Sequence, residues 1–281
     1  EIGRFNSNKN GFQAFNRRAG YGRKIASRRG WANVTHLFQQ KTERTVKIQT
    51  KKGFSLEGTP EHPILTETGW TKLAEIRTGM RVLLSPLPFR AKREMLEIPG
   101  ASPKAPKEMS QDVARVLGYL VADGWCGDLA KCSITNSNPD VIKDISRLVE
   151  KLLHKKVITK ADGKRFRGRI TWTAGGRLRT SALKFSDQEI GVWLKSCGLA
   201  AKLAAGKYVP PLLLQSPKPI IREFLRSYFE CEAHHGEGSI EITSASEKLA
   251  RQVHLLLFSF GILSDLGQKE VEGYGTYYRI N

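Results

Sequence analysis

The chain has 281 residues, long enough for two domains, and its 40% hydrophobic and 26% charged content is that of ordinary globular protein. Its 46 Lys and Arg against 27 Asp and Glu leave a net charge of +19, which points to a polyanionic partner, nucleic acid ahead of a membrane surface. No run of about 18 apolar residues and no signal peptide is visible, which sets aside a membrane span and implies an intracellular setting, cytoplasm or nucleoid. Cys126, Cys132, Cys197 and Cys231 form no C-x-x-C pair, so they are expected as core thiols in a reducing compartment rather than as zinc ligands.

The first 52 residues hold 13 Lys and Arg against two Glu. From Asn16 to Trp31, Arg17, Arg18, Arg23, Lys24, Arg28 and Arg29 are interleaved with Gly, Tyr and Trp. Such a segment is either a solvated arm or one that orders on phosphates, and DNA contact is favoured because charge this dense repels itself without an anion. Residues 34–84 read as short strands, with turns around Lys52-Gly53 and Gly58. Within them Thr59-Pro60-Glu61-His62 stands before the apolar run Ile64-Leu65. A lone His in a turn is commonly structural, but it is also the side chain suited to protonating a leaving nitrogen in acyl transfer. Pro86, Pro88, Pro99, Pro103 and Pro106 then mark an irregular linker.

Val113 to Trp125 reads as a helix, with Val113, Val116, Leu117, Leu120 and Val121 at three- and four-residue steps. Gly118 in mid-helix costs about 1 kcal/mol against Ala, so a close backbone approach is expected there. Asp123 closes the helix against the macrodipole, and Gly124 suits the left-handed position after it. Cys126 to Thr135 supplies two candidate strands. Asn138-Pro139 opens a helix whose stripe is Val141, Ile145, Leu148 and Leu152. A strand pair turned at Asp162-Gly163 is expected next. In it Arg165, Arg167 and Arg169 alternate with Phe166, Gly168 and Ile170, which puts three guanidiniums on one face, with Arg177 and Arg179 just beyond. That face is either a solubilising surface or a DNA-reading ribbon, and unmixed Arg favours DNA. A further helix, with Ser186 or Asp187 as its cap, ends at Gly198.

About 110 residues after the first helix the pattern returns from Arg222 to Ala233. Aligned on the terminal acids, Ser227 falls on Gly118 and Glu232 on Asp123, a sign of duplicated architecture. Two helices with small residues facing each other cross closely and bring both acids to one end. Like charges so placed call for a cation, and hard oxygen ligands suit Mg²⁺. A strand, a helix from Ser246 and a final hairpin follow. His234 and His235 lie near Glu232 as either metal ligands or, preferred, loop residues facing phosphates.

Leu117-Gly118-Tyr119-Leu120-Val121-Ala122-Asp123-Gly124 and Phe224 to Ala233 resemble the paired motifs of LAGLIDADG homing endonucleases, the second in its intein form, with Ser227, Glu232 and Ala233 replacing the usual Gly, Asp and Gly. Gly58 to Leu84 resembles a splicing block of the intein Hint fold, with Thr59 and His62 at its Thr-x-x-His positions. The resemblance implies an α+β chain: residues 1–95 as a basic segment with a partial Hint domain, and residues 96–281 as a pseudo-symmetric endonuclease. The latter holds two αββαββα copies, at about 109–215 and 216–281, the second incomplete. It also implies a monomeric, site-specific endonuclease that makes a double-strand break in a long DNA target. Asp123 and Glu232 would hold the metal, and Lys207, in the block Ala204 to Pro217, would stand near the reacting phosphate. Mg²⁺ is the expected cofactor, with Mn²⁺ replacing it and Ca²⁺ supporting binding without cleavage. Residue 1 is Glu and no His-Asn pair closes the chain, so protein splicing is not expected. The alternatives are a cleavage-deficient DNA-binding remnant and an RNA-binding maturase.

Overall fold

The computed structural model describes residues 5–7, 13–15, 24–27, 30–33, 38–39, 42–86, 96–100, 105–128, 131–154, 157–160, 170–173, 181–186, 188–199, 203–236 and 238–281. They fall into two units, Glu1–Pro88 with Phe258–Ile262, and Phe89–Leu257 with Leu263–Asn281. No helix among the described residues is long and apolar enough to cross a membrane.

Among the described residues the first unit holds nine short strands: β1 (Phe5–Ser7), β2 (Gln13–Phe15), β3 (Lys24–Ser27), β4 (Gly30–Asn33), β5 (Phe38–Gln39), β6 (Val46–Gln49), β7 (Ser55–Gly58), β8 (Pro63–Thr66) and β9 (Gly69–Lys72). They pair as a three-stranded sheet, β1-β2-β5, and three antiparallel ribbons, β3-β4, β6-β7 and β8-β9. Gly53 takes a positive φ of 87° in the turn between β6 and β7, as expected, whereas Gly58 ends β7 as a strand residue rather than making a turn.

In the second unit the proline-bearing stretch is not irregular throughout. It folds back on itself, Ile98 N–H donating to Lys107 O (2.7 Å) and Met109 N–H to Leu96 O (2.8 Å), with Ile98 and Met109 buried. α1 (Gln111–Ala122) follows, with Ser110 as its cap, then β10 (Gly124–Asp128), β11 (Lys131–Asn136) and α2 (Pro139–Leu153). The buried stripe of α2 includes Leu153 in place of the expected Leu152. Next come β12 (Val157–Lys160), β13 (Ile170–Thr173), β14 (Ser181–Ser186), α3 (Gln188–Ser196) and the short α4 (Pro211–Leu214). The chain continues with α5 (Lys218–Glu232), β15 (Ala233–Gly236), β16 (Ser239–Ser244), α6 (Glu247–Ser259), β17 (Leu266–Val271) and β18 (Gly275–Ile280).

Two expectations fail here. β12 and β13 pair in parallel rather than as the expected antiparallel pair, which a two-residue turn would join, and the expected turn at Asp162-Gly163 lies outside the described residues. The first copy also carries three strands after α2 rather than two. Its sheet runs β10-β11-β14-β13-β12, and the sheet after α5 runs β15-β16-β18-β17. With β12 set aside, the two orders are the same.

α1 and α5 lie side by side and point the same way, since Arg115 meets Glu223, Gly118 meets Ser227 and both acids end together. A Cβ at residue 118 would stand 2.0 Å from Ser227 Oγ and 2.5 Å from the Phe224 carbonyl oxygen. Glycine is therefore required by contact, as the sequence suggested. Ser227 needs no partner across the interface, because its hydroxyl returns to Glu223 O and Phe224 O, each at 3.2 Å. Tyr119 of α1 fixes the register. Its hydroxyl hydrogen-bonds Glu230 of α5 and lies 3.0 Å from Asp144 Oδ2 of α2, while Arg115 Nε stands 2.8 Å from the same Asp144 oxygen.

Gly118→Ala should destabilise the fold by at least about 2 kcal/mol in chemical denaturation, despite the better helix propensity of Ala, because a backbone carbonyl cannot step aside. Adding Ser227→Gly should restore only part of the loss, since the Phe224 contact remains.

Candidate active site

The two terminal acids meet because their helices end at the same level, yet the ends are built differently. Asp123 is the residue after α1, its N–H donating to Tyr119 O (3.1 Å), whereas Glu232 is the last residue of α5. Gly124 is not left-handed as expected. It enters β10 directly, and a Cβ there would stand 2.2 Å from Leu120 O. α5 runs one residue further before turning into β15, and Ala233, at φ −77° and ψ 128°, occupies the matching position without strain.

Asp123 is oriented from β11. Asn136 donates through Nδ2 to Asp123 Oδ2, while its Oδ1 accepts from Asn138 N–H at 2.7 Å, which fixes which way the amide faces. The Cys231 thiol also hydrogen-bonds Asp123, and burial pushes that thiol far above its ordinary range. Glu232 is partly buried beside Asp123. Burial first, and then the Asp123 charge, raise its carboxyl from the ordinary 4.5 to about 7, with Lys207 pulling the other way.

Lys207 is brought to the same place by a loop that α6 holds. Ser246 Oγ donates to Lys207 O (2.6 Å), and Gln252 Oε1 accepts from Val209 N–H (2.9 Å). The ammonium reaches the last carbonyl of α1, Nζ to Ala122 O at 2.6 Å. Burial lowers its pKa, and the charges of Glu232 and Asp123 hold the shift back. Two carboxylates, one amide and one ammonium therefore converge where α1 and α5 end.

Among the described residues no cluster of three His, Cys, Asp and Glu could hold an ion. The acids fit a hard divalent cation that keeps water and takes phosphate oxygens, and such a cation would offset both the burial that chiefly raises Glu232 and the smaller repulsion from Asp123. His234 and His235 are exposed strand residues of β15, neither loop residues nor part of such a cluster.

Thr59 and His62 share one tight turn, His62 N–H donating to Thr59 O (3.0 Å) and Leu73 N–H to His62 O (2.8 Å), with the His62 side chain exposed. Lys24 opens β3 opposite Asn33. Arg17, Arg18, Arg23, Arg28, Arg29, Arg165, Arg167, Arg169, Arg177 and Arg179 lie outside the described residues. Cys132 is disulfide-bonded, contrary to the expected set of thiols, whereas Cys197 and Cys231 are free. The β10–β11 register sets Cys126 directly opposite Cys132, a cross-strand placement that spacing alone did not expose. Sequence reasoning missed Asn136, Ser246 and Gln252. Asn136-Ser137-Asn138-Pro139 and Ser244-Ala245-Ser246-Glu247 both open a helix in the same way, which was a usable signal for the first two.

Residues 219–281 match the family of the LAGLIDADG-like domain. The chain is also similar to the replication factor C small subunit of Thermococcus kodakarensis, at 29% identity over 253 residues, covering 88% of this chain and 25% of the relative. Its similarity to the A-type ATP synthase of Pyrococcus abyssi, in one subunit of that enzyme, is 24% identity over 263 residues, with 88% and 24% covered. Protein RecA of Mycobacterium tuberculosis is 27% identical over 244 residues, with 82% and 27% covered. The chain thus spans about a quarter of the length of these relatives. Among solved structures it is similar to I-DmoI in complex with DNA and Mn, at 13% identity and a TM-score of 0.43, covering 62% of this chain and 90% of that one. The complex of I-DmoI with DNA and Ca gives 13% and 0.42, covering 62% and 83%.

The raised Glu232 makes metal-free stability depend on pH. A carboxyl raised from 4.5 to about 7 on folding stabilises below about 4.5, and that contribution is lost as pH climbs through 7. Denaturation in EDTA should show the chain weaker at pH 8 than at pH 5 by up to about 3 kcal/mol, and Glu232→Gln should flatten the difference.

Proposed function

We propose that the chain is the endonuclease-bearing part of an intein, cutting both strands of a long, asymmetric DNA site by divalent-metal-dependent hydrolysis. The observation that carries this reading is the convergence of Asp123 and Glu232 at the ends of two parallel, closely crossing helices, each leading into a sheet of the same strand order. It is supported by the match of residues 219–281 to the LAGLIDADG-like domain and by the net charge of +19. The intein setting is supported by similarity, over more than four-fifths of this chain in each case, to three proteins of unlike name, of each of which it spans about a quarter. A segment shared in that way is what an insertion into different hosts would leave. The turn of Thr59 and His62 is then the remnant of a splicing block, residues 1–95 the partial Hint domain, and residues 96–281 a monomeric, pseudo-symmetric endonuclease.

In this reading Asp123 and Glu232 hold Mg²⁺, for which Mn²⁺ substitutes, while Ca²⁺ supports binding alone. The bound ion would lower the pKa of water and neutralise charge on the scissile phosphate. Asn136 holds one Asp123 oxygen and so helps to fix the carboxylate. Lys207, its charge held in a partly desolvated place, offsets the negative charge that develops as water attacks. The basic residues from Arg17 to Arg29 and from Arg165 to Arg179 hold phosphates and base edges.

Glu232 favours a second reading, a DNA-binding protein that no longer cleaves, because its carboxyl is raised to about 7 and would be half protonated near neutrality without metal. Cleavage of the uninterrupted insertion-site DNA in Mg²⁺ separates the two. Asp123→Asn should slow cleavage at least about 100-fold while affinity in Ca²⁺ stays within a few-fold of the parent. Full cleavage by that variant would remove the metal role. Affinity should also fall steeply with salt, and a log–log slope near zero would remove DNA as the partner.

A further inference from the structure

The inference concerns β16 and β18 and rests on the DNA-binding reading above. Ile242 and Ile280 face each other across these strands and are 1% and 3% exposed, so their side of the sheet packs on the helices. Tyr278 lies on that same side, its hydroxyl donating to Glu247 of α6 at 3.4 Å. Alternation therefore sends Glu241, Thr243 and Arg279 to the opposite face, which they share with His234, the partner of Glu241 on β15.

On that face a carboxylate is out of place in a protein that meets phosphates, unless it serves another side chain. Glu241 Oε2 stands 3.3 Å from Arg279 Nη1, and Glu241 Oε1 accepts from Thr243 Oγ1 at 3.4 Å. Both oxygens are engaged. Thr243 is directly opposite Arg279, so the three side chains form one compact group. The Arg279 side chain remains 42% exposed. Its neighbour on the other strand is Gly267, where a Cβ would meet nothing within 4 Å. One flank of Arg279 is thus held by a carboxylate while the other is left clear.

We propose that Arg279 reads a guanine in the major groove and that Glu241, itself held by Thr243, is its positioning residue. A guanidinium fixed on one edge presents a planar donor pair suited to guanine O6 and N7, and a sheet ribbon fits the width of that groove. Glu241 lowers the attraction of Arg279 for phosphates in general, and so turns a charge into a selector of base.

The test is selection from a pool of random-sequence duplexes by the full chain in Ca²⁺, with binding also measured against salt. The parent should enrich a site containing a guanine that depends on residue 279. Arg279→Gln should move the preference at that one position from guanine toward adenine, the base Gln pairs with, by roughly ten-fold, leaving other positions intact. Glu241→Ala should weaken the preference at the same position without weakening overall binding. If Arg279→Gln keeps the parent site, or loses affinity equally for all sequences with a shallower salt slope, Arg279 touches phosphate or nothing, and the inference is overturned. If Glu241→Ala leaves that preference unchanged, its positioning role is overturned. If the parent binds DNA but enriches no sequence, base reading fails while DNA binding stands. If the parent binds no duplex, both fall.

Discussion

The closeness of two backbones at Gly118 and Ser227 is the constraint on which the rest of the second unit depends. With Phe224 O 2.5 Å from where a Cβ would stand, α1 and α5 touch main chain to side chain over one turn. At that separation Asp123 and Glu232 come near enough for one to raise the other's pKa, and Lys207 joins them by reaching the carbonyl that ends α1. Tyr119 and Arg115 add direction. Their contacts with Glu230 and Asp144 tie α1 to both α5 and α2, so a slip of one turn would strand charged groups in a partly buried place. Packing sets the distance and polar contacts set the register.

The same arrangement concentrates acid in a strongly basic chain. Two carboxylates, a thiol and a buried ammonium share a small volume, and burial acts on three of them: it raises Glu232 and Cys231 and lowers Lys207. Each shift favours the neutral form. A divalent cation would reverse that tendency for Glu232, which makes the site responsive to metal rather than pre-charged. The helix ends contribute to the same poise, because a carboxylate at a C-terminus opposes the macrodipole.

The candidate site was legible where chemistry repeats at a fixed helical offset. Gly118 with Asp123 and Ser227 with Glu232 stand at the same spacing, and the structure brings all four together. The helix start at Asn138-Pro139 was equally readable, since capping is local. What was not legible depended on pairing at a distance. Asp162-Gly163 carries a strong turn signal, yet β12 and β13 run parallel, a relation no short-range signal encodes. Gly124 was expected as a left-handed cap, whereas the approach of Leu120 O is what requires it. Asn136 escaped notice because its partner is thirteen residues away and reached only once β10 and β11 pair. Cys132 was misread for the same reason, as its strand register was unknown.

The central claim is that Asp123 and Glu232 form one cation site. Thermal unfolding of the full chain at a fixed pH above 7, with and without Mn²⁺, measures it without any DNA. A ligand that binds only the folded state raises the unfolding temperature with its concentration. The account predicts a concentration-dependent rise in the parent that is largely abolished by Asp123→Asn and by Glu232→Gln alike. An equal rise in the parent and both variants would place the cation elsewhere and contradict the account.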